Sequence, residues 1–166
     1  MHIRAGGPED TGTLLAMFDG AVEWLVANGR RDQWGPEPWS VVPARVERVR
    51  SIAAGGGLWI AEDGGEPAGA MSLIDGGIHY VPPADGPGLY VDLLITARGH
   101  TGGGVGARLL NFAREQTRAR GIGLLRVDCW AGGDGALIRY YTRQGFTPVE
   151  LVPVGDTAVQ LFEQRL

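Results

Sequence analysis

Apolar residues along this chain alternate between helical and extended spacing. Leu14, Leu15, Phe18, Val22, Leu25 and Val26 recur every three or four residues and predict one buried stripe on a helix. Pro8, Glu9 and Asp10 suit its start, and Asn28-Gly29 its end. Residues 30–40, with Trp34 and Trp39, read as an aromatic loop. Pro43 then opens a second helical pattern through Val46, Val49 and Ile52, stopped by Gly55-Gly56-Gly57.

The pattern next turns extended. A short strand is expected over residues 3–5, and a hairpin over 58–63 and 68–74 around Gly64-Gly65-Glu66-Pro67. A Gly/Pro-rich loop, 76–87, leads to an apolar strand over 89–95. Residues 105–120 read as a helix with Leu109, Leu110 and Ala113 inward, Arg114, Glu115 and Arg118 in water, and Gly121 as its C-terminal cap. Strands at 124–130, 146–151 and 157–163 and a short helix at 136–144 complete the chain. The sum is one α+β domain over residues 1–166, with a β-α-β-α-β run in its second half.

Composition narrows the function. No apolar run approaches the ~20 residues of a membrane span, and the N-terminus lacks the apolar core of a secretory signal, so a cytoplasmic protein is expected. Cys129 is the only cysteine, and His2, His79 and His100 are scattered, so no metal centre is expected. A net charge of −4 argues against nucleic acid. All 15 basic residues are arginine, which rules out any lysine nucleophile, Schiff base or P-loop lysine. Glycine reaches 28 residues, and the bland reading of both biases is codon usage.

The placement of some glycines says more. Between the strand at 89–95 and the helix from 105 runs Ala97-Arg98-Gly99-His100-Thr101-Gly102-Gly103-Gly104-Val105-Gly106-Ala107. A strand-to-helix turn offers backbone N–H groups and the positive end of a helix dipole, a seat for phosphate. A P-loop is excluded, because Val105-Gly106 stands where Lys-Ser/Thr is required. Residues 102–107 do meet the loose dinucleotide pattern, and Asp128 lies where a ribose-binding acid belongs. A small dinucleotide-binding oxidoreductase is therefore one reading.

A further reading covers more of the chain. At Thr101-Gly102-Gly103-Gly104-Val105-Gly106, followed by Ala107-Arg108-Leu109-Leu110, the sequence resembles the pyrophosphate loop of the GNAT superfamily of acyl-CoA-dependent N-acyltransferases. Thr101 replaces that family's Arg/Gln, and Arg98 is the residue expected to supply the missing charge. Downstream, Leu125-Arg126-Val127-Asp128-Cys129-Trp130 and Tyr141-Thr142-Arg143-Gln144-Gly145-Phe146 look like the family's strand and Tyr-x-x-x-Gly-Phe ending. Asp134 stands where many members have Asn.

The resemblance implies a mixed, mostly antiparallel sheet flanked by helices and acetyl-CoA as co-substrate. The acceptor is a small-molecule or peptide amine, and homodimers are common in the family. Backbone groups of Leu93, Leu94 and Ile95 would hold the pantetheine and thioester, and Arg98, residues 101–107, Asp134 and Tyr141 the rest of the donor. Direct transfer needs a proton for the departing thiolate, and Tyr141 is the expected acid, its phenol matched to a thiol's basicity. Asp92, an acid within an apolar strand on the face of Tyr90 and Leu94, is the expected base or cation attractor. An ion pair of Asp92 with Arg126 is the competing structural account, and Asp128 and Glu150 are weaker candidates for the base. Cys129 reads as core filling, His100 as a solvated loop residue, and Trp34 and Trp39 as either substrate mouth or core edge. A non-catalytic acyl-CoA sensor would share the fold but release no thiol.

Overall fold

A computed structural model describes residues 1–166. Seven strands lie in the order β1-β2-β3-β4-β5-β7-β6. They are β1 (His2–Ala5), β2 (Leu58–Asp63), β3 (Glu66–Asp75), β4 (Leu89–Thr96), β5 (Leu124–Trp130), β6 (Thr147–Val154) and β7 (Thr157–Arg165). The helices are α1 (Thr11–Ala27), a single turn α2 (Arg31–Trp34), α3 (Pro43–Ala54), α4 (Val105–Ala119) and α5 (Ala136–Arg143). β1 with β2, β2 with β3, β5 with β7 and β6 with β7 pair antiparallel. β4 and β5 pair in parallel, which requires the crossover through α4. The mixed, mostly antiparallel sheet expected from the sequence is thus the sheet observed.

By packing, the chain divides into two compact units: Met1–Ser72 with Leu93–Leu109, and Leu73–Asp92 with Leu110–Leu166. The core of the first gathers Leu14 and Phe18 of α1, Val49 of α3, Leu58 and Ile60 of β2, and Leu93 and Ile95 of β4. Residues 30–40 are more ordered than a loop, because their indoles are drawn onto α1. Trp39 stacks on Phe18 at 4.0 Å and Trp34 tilts against it at 5.4 Å, which winds 31–34 into α2 and Trp39–Val41 into a 3-10 turn. Arg45 secures the segment from α3, donating to the Trp34 carbonyl at 2.9 Å with its guanidinium over Trp39. Of the two roles left open for these tryptophans, packing is the one the contacts show.

In the second unit Val81, Tyr90, Val152 and Leu161 form a core cluster. Arg114 departs from expectation: instead of facing water it is 9% exposed. Its guanidinium donates to Gln164 Oε1, Asn111 Oδ1 and the Gln144 carbonyl, and lies over the Phe146 ring. Neutral acceptors, two of them remote in sequence, take a hydrogen bond from each of its three nitrogens, so the guanidinium is buried with its donors engaged. No helix is long and apolar enough to cross a membrane.

Candidate active site

In the first unit, β4 ends at Thr96, a 3-10 turn covers Arg98–His100, and α4 begins at Val105. The turn between is wound by short backbone bonds, Thr101 N–H to the Arg98 carbonyl at 3.3 Å and Gly103 N–H to the His100 carbonyl at 3.2 Å. Gly102 and Gly104 have φ of +85° and +76°, the left-handed region that side chains disfavour. A Cβ built at either would meet nothing within 4 Å, so the space over this backbone is open. The N–H groups of Val105, Gly106 and Ala107 have, as in any first helical turn, no intrahelical acceptor. Open backbone at a helix N-terminus suits a pyrophosphate.

Two neighbours of this turn were not anticipated. A Cβ at Gly69 of β3 would lie 2.7 Å from the Val105 side chain and 2.8 Å from the Ile95 carbonyl, so the start of α4 reaches the sheet only because Gly69 has no side chain. Glycine inside a strand does signal close backbone approach, and that was the available clue. Arg98, expected at the phosphate, has its guanidinium 4.5 Å from the Trp24 ring centroid. His100 is partly exposed, 4.0 Å from Asp63. On β4, Leu93 and Ile95 are buried in the core, whereas Leu94 is partly exposed.

In the second unit, the Tyr-x-x-x-Gly-Phe stretch is a helix ending. The Phe146 N–H bonds the Tyr141 carbonyl at 3.1 Å, the Gly145 N–H bonds the Thr142 carbonyl at 3.0 Å, and Gly145 takes φ +94°. This is a Schellman motif, whose hydrophobic contact is Phe146 against Tyr141. Tyr141 is 7% exposed and packs on Phe162, Phe146 and Tyr140, at 5.6, 6.1 and 5.2 Å. Burial pushes the Tyr141 phenol above its ordinary pKa, and neighbouring Tyr140, Cys129 and Asp128 add to the shift. Burial likewise pushes the Cys129 thiol up to about 12. A thiol so protonated is no nucleophile near neutrality.

Asp92 is partly exposed with one buried carboxylate oxygen. Arg126 meets Glu163 at 3.2 Å and donates to the Pro82 carbonyl at 2.9 Å. Asp128 accepts from the phenols of Tyr90 and Tyr80. Asp134 serves its own helix, accepting from the Ala136 N–H at 3.1 Å. Glu150 lies exposed on the edge strand β6.

The acetyltransferase (GNAT) family matches residues 22–146, three quarters of the chain. The chain belongs to that family. As a GNAT protein it is an acyltransferase. Solved structures agree in fold. A ribosomal-protein-alanine N-acetyltransferase from Brucella melitensis is 22% identical over all of both chains, with a TM-score of 0.69. The putative acetyltransferase yncA from Salmonella typhimurium, solved with acetyl-CoA, is 19% identical over 100% of this chain and 94% of that one, at 0.66. An aminoglycoside 6'-N-acetyltransferase complexed with coenzyme A is 15% identical over 99% and 97%, at 0.68. No curated protein matches. The dinucleotide reading falls with the family match and with the mostly antiparallel sheet; Asp128, its proposed ribose ligand, is bonded by two tyrosines.

Proposed function

We propose that this GNAT enzyme moves an acetyl group from acetyl-CoA to a primary amine by direct attack, with Tyr141 as the general acid. Acetyl-CoA, the family's donor, supplies the acetyl group as an activated thioester. The turn at residues 101–107 gives the pyrophosphate its backbone donors, and the backbone of Leu93–Ile95 holds the pantetheine and thioester carbonyl. Leu94 faces away from the core that claims its two neighbours, which supports a ligand-side role for this stretch.

Asp92 takes the proton of the amine, through water, as the nitrogen bonds the acetyl carbon. Backbone donors stabilise the oxyanion that follows. As the carbon–sulfur bond breaks, Tyr141 hands its phenolic proton to sulfur and is reprotonated from solvent. One observation carries this assignment: Tyr141 is enclosed by aromatic rings and held protonated, an acid kept in its donating form. Cys129 is buried and protonated, which supports transfer without an acyl-enzyme.

An amine-panel assay with acetyl-CoA, following release of free thiol, tests the reading. The expected outcome is thiol release that depends on at least one primary amine. Acetyl-CoA binding with no thiol release against any amine would instead mark a chain that binds the donor without transfer.

A further inference from the structure

The second unit holds a polar cluster that the proposed acid and base leave unused. Residues 76–88 form a pinned loop: the Gly76 N–H bonds the Gly88 carbonyl at 3.0 Å, and the Val81 N–H bonds the Ile78 carbonyl at 3.2 Å. Arg126, 2% exposed, holds the Pro82 carbonyl from below while its guanidinium lies 6.0 Å from the Tyr90 ring centroid. So tethered, the loop delivers the Tyr80 hydroxyl to Asp128 at 3.3 Å. From β4 the fully buried Tyr90 donates to the same carboxylate.

The position of Asp128 follows from register. Tyr90 pairs with Arg126 across the parallel strands, and Asp92 and Asp128 each stand two residues further along. By alternation both share the face of that pair. Asp128 is partly exposed, and it shares its face of the sheet with Asp92, the proposed base.

Phenol donors fix the direction of the carboxylate. Tyr90 stays a donor, because burial and Asp128 raise its pKa well above the phenol range. A general base offers a lone pair to the incoming proton, and here two phenols already donate to the carboxylate. A fixed anion suits another task.

We propose that Asp128, held by Tyr80 and Tyr90, is the specificity-determining carboxylate that selects acceptors arriving as ammonium ions over neutral amines. The inference rests on the acetyltransferase reading above, and it leaves proton uptake to Asp92. The acceptor class it names is the alkyl amine, cationic near neutrality, as opposed to the arylamine.

Benzylammonium and aniline, of similar size and opposite in charge state near neutral pH, are titrated calorimetrically into the protein loaded with coenzyme A. The wild-type protein should bind benzylammonium at least about tenfold more tightly than aniline. Asp128→Asn should bring the two within about threefold by weakening benzylammonium alone, with aniline and acetyl-CoA affinities unchanged. Tyr80→Phe, on the loop, should reduce the preference about threefold, and it carries the test if Asp128→Asn does not fold.

No preference in the wild-type protein, a preference kept in the variants, or an equal loss for both amines overturns the proposal. Because binding is read without turnover, absent thiol release would count against the transfer reading and not against this one.

Discussion

A phenol enclosed by Phe162, Phe146 and Tyr140 gives up its proton reluctantly. It donates efficiently only to a leaving thiolate of comparable basicity, which the same dry surroundings favour. Tyr141→Phe keeps the ring contacts and removes only the donor. Its kcat should fall about 10²-fold or more, with acetyl-CoA affinity and melting temperature little changed. Tyr140→Phe is the control and should turn over normally. Normal turnover in both variants would mean that water protonates the thiolate. The raised pKa adds an expectation about pH: the phenol remains protonated through about pH 10, so no basic limb below that value should trace to Tyr141. The residue itself was legible in sequence because its motif is a local helix ending. The Phe162 ring against it was not, since it comes from a strand twenty-one residues downstream.

At the scale of elements, the first turn of α4 depends on two kinds of glycine. Gly102 and Gly104 are needed for their backbone, so a side chain there costs both conformation and access. Acetyl-CoA should raise the melting temperature of the wild-type protein, as a native-state ligand does. Gly104→Glu, which sets an anion in the proposed pyrophosphate seat, should abolish that shift while the protein stays folded. Unchanged acetyl-CoA affinity in the folded variant would remove this turn from the site. Gly69 is needed for its missing Cβ. Gly69→Val must displace Val105 or the Ile95 carbonyl, a backbone atom that cannot swing aside. It should cost about 1–3 kcal/mol of stability and weaken acetyl-CoA binding together, read by denaturant melts and titration. Wild-type stability and affinity in that variant would show that β3 and α4 separate freely. The run of glycines at 102–106 announced itself in sequence, whereas Gly69 signalled only that something comes close, because its partner is α4, more than thirty residues away.

For the molecule as a whole, an ion cluster at the N-terminus couples the first strand to the rest of its unit. Arg4 reaches Asp10 at 2.8 Å and Glu62 of β2 at 2.7 Å, and Asp10 also accepts from the Gly7 N–H. The Arg4 bonds hold the Asp10 carboxyl below its ordinary 3.8. The stabilisation is therefore complete above the unfolded-state value and is lost as pH falls through the folded one. Melts taken from pH 6 down to about pH 2 should show the wild-type protein losing stability below about pH 4, and Asp10→Asn losing less over the same interval. Equal slopes would remove Asp10 from the acid response. By itself the sequence determined the order of helices and strands outside residues 30–40, that one cysteine and no lysine limit the chemistry, and which turn and which tyrosine are the candidates. Those features are written in local periodicity, caps and glycines. Only the tertiary structure decided that Arg114 is buried, that Trp34 and Trp39 pack on Phe18, that Arg126 turns to Glu163, and that Tyr80 and Tyr90 converge on Asp128. Each is a choice among partners that local sequence leaves equal, made by which distant groups the fold brings within bonding distance.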